Sequence, residues 1–390
     1  MLGLDKHVVS RRDFLAGLGV AVGGAALCGH AGLAAETPAA LTGKPPEGAS
    51  TGGPIRHPAR YFETLDGKRV RCKLCPRQCV VPDRGQGYCR VRENHAGQYY
   101  TLVYGRPAAT HLDPIEKKPF FHVYPGTQAF SLATVGCNIH CKFCQNWDIS
   151  QARPEETPVP YVSPEQIAAQ AAALGAKTIA YTYSEPTVFH EYLSDCAKAG
   201  KARGIDSVIV SNGFIQDAAQ RDLFPLVKAI KIDLKAFTEV FYRETCDALL
   251  QPVLDTLKRL AGSGVWFEIV TLIIPTLNDN PDDVKRMADW IVKELGPNVP
   301  LHLTRYHPLY RLRNLPPTPP ELLLKAQAIA VNAGCRFVYT GNVPGLEGQD
   351  TLCPACKKAV IRRYGFEIAA NNLKGGKCDF CGAVIPGVWD

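Results

Sequence analysis

Cysteine is the residue type whose number and spacing point most directly to chemistry in this chain. There are 15 cysteines, and most of them fall into three tight groups. These are the N-terminal cysteines (Cys72, Cys75, Cys79 and Cys89), the core cysteines (Cys137, Cys141 and Cys144) and the C-terminal cysteines (Cys353, Cys356, Cys378 and Cys381). Such short spacings are typical of metal sites rather than of disulfide frameworks. No function is assigned to the cysteines that stand alone, namely Cys28, Cys196, Cys246 and Cys335.

The core cysteines follow directly after a predicted strand at residues 130–135, with the spacing C-x3-C-x2-C. Ligand sites in parallel α/β sheets collect at this end of a strand. Three thiolates can hold three irons of a cubane cluster and leave the fourth iron open to a substrate or cofactor. A structural zinc ion is the alternative, since His140 or a distant residue could supply its fourth ligand.

Polar side chains also stand at the ends of the later predicted strands. In chain order they are Ser184 and Glu185, Ser211 and Asn212, Asp233 and Lys235, and finally His307. Because the carboxyl ends of parallel strands meet at one edge of a sheet, we expect a single mouth to collect these groups together with the core cysteines.

The core cysteines, with the aromatic Phe143 before the last of them, resemble the motif of radical S-adenosylmethionine (SAM) enzymes. The resemblance implies a [4Fe–4S] cluster on the core cysteines, with SAM bound to its open iron. It implies that the segment at residues 183–186 binds the methionine amino group of SAM, with Glu185 as the hydrogen-bond acceptor. Asp233 and Lys235 resemble the SAM contacts of enzymes that activate glycyl-radical proteins, in which the lysine meets the SAM carboxylate. Ser184, Ser211 and Asn212 are further expected SAM contacts, and His307 is expected near the adenine.

Two positions depart from pyruvate formate-lyase-activating enzymes, which the core otherwise resembles. Val210 stands where those enzymes carry a carboxylate for a monovalent cation, and Val270-Thr271 offers no arginine on the fifth strand. The departures do not support a cation site, and they weaken the case for direct activase function.

Motifs outside the core extend the resemblance over nearly the whole chain after its leader. They lie at residues 72–79, 85–92, 113–119, 144–147 and 385–389. Together they resemble the radical SAM member of the AmmeMemoRadiSam system. This implies Memo-like and AMMECR-like proteins as partners, and the radical SAM chemistry implies a low-potential electron donor. The resemblance implies no particular substrate.

The two outer groups of cysteines predict further metal sites. The N-terminal cysteines suit either zinc or an auxiliary [4Fe–4S] cluster, and the C-x2-C knuckle with its nearby glycines slightly favours zinc. The C-terminal cysteines form two C-x2-C pairs that predict a zinc ribbon, with a rubredoxin-like iron site as the alternative. So short a module needs its metal in order to fold.

Alternating apolar runs and helical stretches predict an α/β fold with a parallel sheet. The predicted strands are residues 130–135, 178–182, 207–211, 230–234, 266–274 and 301–304, with a possible seventh at 337–339. Ser163, Pro164 and Gln166 predict the start of one helix, and others are expected after Asn280 and from Pro320. We therefore expect a partial (β/α)6 radical SAM barrel with small Cys-rich metal-binding modules at both ends.

The predicted domain boundaries follow from these motifs. They are a twin-arginine signal peptide at 1–35, a linker at 36–58, an N-terminal Cys-rich module at 59–125, the radical SAM core at 126–340 and a C-terminal zinc-ribbon-like module at 341–390. Arg11 and Arg12 begin the export signal, and an apolar run too short to span a bilayer follows them. The protein is expected in the periplasm or at the membrane after cluster assembly in the cytoplasm, or in the cytoplasm if the leader is vestigial.

Composition limits the remaining possibilities. The net charge of +7 is spread along the chain rather than gathered in a basic block, so nucleic acid is not an expected partner, and membrane contact is expected only through the export signal. Three hypotheses remain: a radical SAM enzyme with an unidentified substrate, a glycyl-radical-enzyme activase, and a non-enzymatic iron–sulfur electron carrier or metal-bound scaffold. Substrate-side candidates are Asp113, Glu116, Lys117 and Arg305, which could equally be surface ion pairs.

Overall fold

The N-terminal module consists of two small antiparallel sheets. The computed structural model describes residues 55–390. The strands of the module are β1 (His57–Pro58), β2 (Phe62–Leu65), β3 (Arg69–Cys72), β4 (Val80–Val81), β5 (Arg92–His95) and β6 (Gln98–Thr101). The first sheet has the order β1-β6-β5 and the second β2-β3-β4. Because β1 pairs with β6, the end of the linker predicted at 36–58 is already part of this module.

An eight-stranded sheet occupies the centre of the described chain. Its strands are β7 (Ala109–Pro114), β8 (Gln128–Ala133), β9 (Thr178–Tyr181), β10 (Asp206–Ser211), β11 (Ala229–Asp233), β12 (Trp266–Ile273), β13 (Leu301–Arg305) and β14 (Val338–Gly341). They lie in sequence order, β8 to β14 are parallel, and β7 runs antiparallel to β8 at the edge. The predicted α/β fold and its strand positions are confirmed to within two residues.

Two features of this sheet bear on the prediction. The possible seventh parallel strand is confirmed as β14, so the described sheet has seven parallel strands. The strand β7 falls inside the N-terminal module predicted at 59–125, yet it pairs along its whole length with β8. Half of its residues are exposed and one is buried, so it lacks the apolar run that marks the buried strands.

Helices connect the parallel strands. They are α1 (Trp147–Ser150), α2 (Pro164–Ala173), α3 (His190–Lys201), α4 (Asp217–Arg221), α5 (Glu239–Cys246), α6 (Leu250–Ala261), α7 (Pro281–Trp290) and α8 (Pro320–Asn332). The Ser163 hydroxyl accepts the Gln166 N–H and the Gln166 side chain accepts the Ser163 N–H, as the capping box predicts. No helix within residues 55–390 has the length and apolar character needed to cross a membrane.

The C-terminal module adds five short strands. They are β15 (Thr351–Leu352), β16 (Ala359–Tyr364), β17 (Glu367–Asn371), β18 (Leu373–Lys374) and β19 (Lys377–Cys378). A small apolar cluster of its own includes Cys353, Val360 and Ile385, which pack with Phe121 and Tyr339 of the central domain. The N-terminal module, by contrast, shares the large core of the barrel, so its folding is coupled to that of the central domain.

The predicted signal peptide at 1–35, and the linker up to residue 54, lie outside the described residues.

A buried ion pair joins the N-terminal module to the central domain. The Arg92 guanidinium donates to both carboxylate oxygens of Glu191 on α3, at 3.0 and 2.8 Å. The side chains are 1% and 3% exposed, and Glu191 also accepts the Arg60 N–H at 2.7 Å. Removing one partner of such a pair leaves an uncompensated buried charge.

We therefore predict that Glu191→Ala lowers the free energy of unfolding by about 3–5 kcal/mol. Denaturant unfolding of the metal-loaded protein measures this change. The matched control on the same helix is Lys198→Ala, which breaks an exposed pair with Asp195 and should cost less than about 1 kcal/mol. Equal effects of the two substitutions would show that the buried pair does not hold the module in place.

Candidate active site

A cavity of about 820 Å³ lies beyond the carboxyl ends of the parallel strands. All three core cysteines line it. Of the other predicted site residues, the structure brings Ser184, Glu185, Asn212, Asp233, Lys235 and His307 to the same cavity wall. The volume is in the range of small-molecule and cofactor sites. The predicted single mouth is therefore present, and it collects residues from the ends of β9, β10, β11 and β13.

The loop that carries the core cysteines is held by the end of α5. The His140 N–H donates to the Cys246 carbonyl at 3.0 Å, and the Lys142 N–H donates to the Thr245 carbonyl at 2.9 Å. Gly136 begins the loop with φ +98°, a conformation that favours glycine. These backbone contacts hold the loop in place.

Burial and local charges set the protonation of the core cysteines. Burial raises the pKa of Cys137, and the neighbouring Glu185 carboxylate raises it further. A hydrogen bond from Cys246 lowers the pKa of Cys141, burial opposes this, and the Lys235 ammonium adds to the lowering. Buried thiolates need a compensating cation, which bound iron supplies.

Glu185 is almost completely buried beside the core cysteines. Its Oε1 accepts from the Thr187 N–H, the Thr187 hydroxyl and the Ser211 hydroxyl at 2.7–2.9 Å, and its Oε2 accepts from the Asn212 N–H at 2.9 Å. Burial raises the pKa of Glu185, and these donors oppose the rise. A carboxylate oxygen accommodates about two donors. Among the described residues Oε2 has one, so it retains room for an ammonium group from the cavity.

Asp233 and Lys235 form an ion pair at the end of β11. The Lys235 ammonium donates to Asp233 at 2.9 Å and lies close enough to Cys141 for the two charges to interact. Burial lowers the pKa of Lys235, but Asp233 and Cys141 outweigh it, so the net direction is upward. The lysine is therefore a cation next to the cysteine loop, suited to an anionic group.

The remaining predicted SAM contacts differ in position. The Ser184 hydroxyl is buried without a hydrogen-bond partner among the described residues, and it lines the cavity. His307 lies at the exposed rim, where burial of part of its ring lowers its pKa. Ser211 does not line the cavity; its hydroxyl donates to Glu185 and accepts the Gly213 N–H, so it positions the carboxylate instead of facing a ligand.

The donor set fits an iron–sulfur cluster with SAM. Three thiols and the unpartnered Ser184 hydroxyl face one cavity, with Lys235 beside them. The zinc alternative named His140 as a possible fourth ligand. The His140 ring, however, stacks on Tyr88 with 4.2 Å between the ring centroids, and it does not line the cavity.

Comparison with known proteins agrees with this geometry. Residues 131–291 match the family model described as the radical SAM superfamily. This segment of the chain is a radical SAM superfamily domain. Such a domain implies a [4Fe–4S] cluster and SAM. The matched segment runs from β8 to the end of α7 and contains the core cysteines.

A relative from Methanocaldococcus jannaschii, described as an uncharacterized protein, is 42% identical over 329 residues. The match covers 84% of this chain and 98% of the relative, so the two proteins belong to one family. A second uncharacterized protein of that organism is 31% identical over 87 residues, which is 22% of this chain and 21% of the relative.

The similar solved structures include two at low sequence identity. A domain of pyruvate-formate lyase-activating enzyme from Bacteroides vulgatus is 18% identical, with a TM-score of 0.39, over 43% of this chain and 100% of that chain. Streptococcus suis SuiB bound to S-adenosylmethionine is 13% identical, with a TM-score of 0.44, over 60% of this chain and 53% of that chain.

The substrate-side candidates divide into two kinds. Asp113 accepts from Lys117 at 2.8 Å and from Lys118, Ser131 and Tyr183, which makes it the centre of a structural network. Glu116 and Lys117 line the cavity, whereas Arg305 does not; its Nε donates to the Thr318 carbonyl at 2.9 Å. Within this set, Glu116 and Lys117 are the groups that can face a substrate.

Sequence analysis missed a buried charged network beneath the cavity. Glu268 lies 2.6 Å from the His302 ring and 3.2 Å from the Lys231 ammonium, and it accepts the N–H groups of Phe121 and His122. Burial would raise the pKa of Glu268, but Lys231 and His302 hold it well below its usual range. An ionisable residue inside each of three apolar strands was the signal that could have revealed the network.

The C-terminal cysteines lie close enough together for one metal ion. Their sulfurs all fall within 4.8 Å of one another, with 3.6 Å between Cys353 and Cys381 and 3.7 Å between Cys356 and Cys378. Four sulfurs at about 2.3 Å from one tetrahedral ion lie about 3.8 Å apart. The predicted metal module is therefore present in the structure as a pre-formed four-sulfur site.

We predict that Cys353→Ser removes about one metal ion per chain, because a tetrahedral site loses a quarter of its ligands. Metal analysis of the purified protein measures the change, with Cys335→Ser, an isolated buried cysteine, as the control. Iron bound by the core cysteines should stay constant. Loss of that iron at an equal yield of folded protein would contradict the separation of the two sites.

Proposed function

We propose that this protein reductively cleaves SAM at a [4Fe–4S] cluster held by the core cysteines and abstracts a hydrogen atom from a substrate bound in the same cavity. The observation that carries the proposal is that three thiols face a cavity shared with Glu185, Asp233 and Lys235. An electron carrier needs no such set of SAM-binding groups, so the non-enzymatic hypothesis is disfavoured.

The core cysteines would hold the cluster, which when bound and reduced would supply the electron needed to break the sulfur–carbon bond of SAM into methionine and a 5′-deoxyadenosyl radical. The chain's own residues hold SAM in place for this step. Glu185 Oε2 and the Ser184 hydroxyl accept the methionine ammonium, and Lys235 donates to the carboxylate. His307 at the rim is the proposed contact of the adenine.

Apolar side chains close the remainder of the cavity against water and competing hydrogen donors. Ile139 and Phe143 come from the cysteine loop, and Val210, Val270 and Leu272 come from β10 and β12. Exclusion of water protects a reactive intermediate until it meets the substrate.

The unidentified substrate is a small molecule or a peptide rather than a glycyl-radical protein in this proposal. Val210 and Val270 both line the cavity, at the positions where the resemblance to activating enzymes called for a carboxylate and an arginine. The activase hypothesis thus lacks the polar groups that it would need there. A gene for a glycyl-radical protein next to the gene for this chain would favour the activase hypothesis.

Zinc is the metal that we propose for the C-terminal cysteines, since the sulfur separations match one tetrahedral ion and the module is small. The proposed partners are a low-potential electron donor and, from the resemblance to the AmmeMemoRadiSam system, Memo-like and AMMECR-like proteins. The basic charge of the chain is dispersed, and nucleic acid has no place in this proposal.

We predict that the reconstituted, reduced protein forms 5′-deoxyadenosine from SAM and that Cys141→Ala lowers this rate at least about 100-fold, because the cluster loses a ligand. Chromatography of the products measures the rate, and EPR of the reduced protein reports the cluster. Cys335→Ala is the control and should retain both signals. Undiminished 5′-deoxyadenosine from Cys141→Ala would refute the proposed function.

For location, we propose that the cluster is assembled in the cytoplasm and that Arg11 and Arg12 then direct the folded precursor to the periplasm or membrane. SAM and low-potential electrons are expected in the cytoplasm, so turnover outside it is not part of the proposal.

Fractionation of cells expressing the full chain tests this location. We expect processed protein in the periplasm for the parent and unprocessed cytoplasmic protein for Arg11→Lys/Arg12→Lys. An identical uncleaved cytoplasmic pool for both would mean that the leader is vestigial.

A further inference from the structure

The N-terminal cysteines converge on one buried space. Cys72 ends β3, Cys75 and Cys79 lie in the turn toward β4, and Cys89 precedes β5. The Cys72 N–H donates to the Cys79 carbonyl at 2.9 Å, which folds this turn back on itself. Cys72 and Cys75 are buried, Cys79 and Cys89 are partly buried, and all four belong to the same apolar core.

The separations of these sulfurs do not match a single ion. Among the described residues, the C-terminal cysteines are the one group of three or more Cys, His, Asp or Glu side chains whose ligand atoms all lie within 4.8 Å of one another. No three of the N-terminal sulfurs lie that close. A tetrahedral zinc site needs separations of about 3.8 Å. In a cubane the four thiolates bind four different irons, so their sulfurs lie on the order of 6 Å apart.

The core cysteines provide an internal comparison. Their three sulfurs also fail to meet the 4.8 Å limit, and their superfamily implies a [4Fe–4S] cluster. The N-terminal cysteines thus fall on the same side of the 4.8 Å limit as the core cysteines, and both groups differ from the compact C-terminal site.

Two buried donors beside the N-terminal cysteines lack partners. The Arg92 Nε and the Tyr99 hydroxyl have no hydrogen-bond partner among the described residues, and the two residues are 1% and 2% exposed. The Tyr99 ring packs on Phe62, which lies directly opposite Cys72 in the register of β2 and β3, and the Arg92 guanidinium lies 5.5 Å from the centre of the Tyr99 ring. Both donors therefore lie on the side of the module that carries Cys72. Unpartnered buried donors are costly, and an anionic group at the thiols would satisfy them.

We propose that the N-terminal cysteines hold a second [4Fe–4S] cluster, which passes one electron at a time to the cluster on the core cysteines. The electron transfer in this proposal rests on the proposed function, whereas the presence of the second cluster does not. In each transfer the second cluster is oxidised by one electron and the core cluster is reduced by one. A low-potential one-electron donor protein, of the flavodoxin or ferredoxin class, then reduces the second cluster again.

The two cysteine loops are in direct contact, which supports this transfer. A Cβ placed on Gly136 would lie 3.1 Å from the Cys89 carbonyl, and Gly136 precedes Cys137 in the chain. The Arg77 Nε donates to the Asn138 carbonyl at 2.6 Å, and Tyr88 stacks on His140. Protein atoms therefore fill the space between the two sites without an intervening water layer at these points.

The iron and acid-labile sulfide contents of anaerobically isolated full-length protein test whether the second cluster is present. We expect about eight sulfides per chain for the parent and about four for a variant that lacks the core cysteines, Cys137→Ala/Cys141→Ala/Cys144→Ala. The latter should keep a reducible EPR signal. The result for this variant does not depend on whether the N-terminal module tolerates mutation, because its N-terminal cysteines are intact.

The reciprocal variant, Cys75→Ala/Cys79→Ala, should retain about four sulfides, and Cys335→Ala serves as the matched control with about eight. A different result would contradict the second cluster and favour zinc: about four sulfides in the parent, none in the variant without the core cysteines, and an additional zinc ion per chain. Since these readouts need no SAM cleavage, their failure is distinct from failure of the proposed function.

Reduction kinetics test the electron transfer. With a flavodoxin as donor, Cys75→Ala/Cys79→Ala should form 5′-deoxyadenosine at least about tenfold more slowly than the parent. With dithionite, a small reductant that reaches the core cluster directly, the two proteins should agree within about twofold. Equal rates with flavodoxin would overturn the relay. A tenfold loss with both donors would overturn it as well, because it would show damage to the core site.

Discussion

The parallel pairing of β8 to β14 is the constraint on which the site depends. Since strands that follow each other in the chain are also neighbours in the sheet, the segment after each strand emerges at the same edge. In β11, Lys231 and Asp233 share one face while Ile230 and Ile232 share the other. A slip of one residue would exchange these faces and remove Asp233 from the cavity. Apolar burial on the outer face therefore holds the register that places polar groups inside.

The polar interior is stable because its charges compensate one another. Lys231 lies directly opposite Glu268 in the register of β11 and β12, and His302 completes the contact from β13. Burial lowers the pKa of Lys231 to about 8, while Glu268 opposes the decrease. A lone buried charge would be costly, so these residues depend on each other. The His122 ring extends the network to the Tyr339 hydroxyl at 2.6 Å.

The outer modules meet the central domain at different ends of this arrangement. The C-terminal module reaches the buried network through Arg363, whose guanidinium donates to the Phe121 carbonyl at 2.7 Å and to the Thr351 hydroxyl at 2.8 Å. Its β16–β17 turn, at Tyr364 and Phe366, lines the cavity as well. The N-terminal module instead supports the cysteine loop. The C-terminal module therefore borders the cavity, and the N-terminal module borders the loop that carries the core cysteines.

Much of the chemistry was determined by the sequence alone. The spacing of the core cysteines, the polar residues after each strand and the α/β order were all readable, because local spacing and hydrophobic period are properties of the chain itself. The edge strand β7 was not, since its exposed residues lack an apolar pattern. Nor was the role of Ser211, which looked like a ligand contact until its hydroxyl was seen to hold Glu185.

Only the tertiary structure decided how far apart residues distant in sequence lie. Cys353 and Cys381 come within 3.6 Å although 28 residues separate them, while the N-terminal cysteines, closer in the chain, stay too widely spaced for one ion. Glu191 likewise meets Arg92 across 99 residues. Sequence spacing limits the reach of a chain segment but not its path, and packing of the modules around one core sets that path.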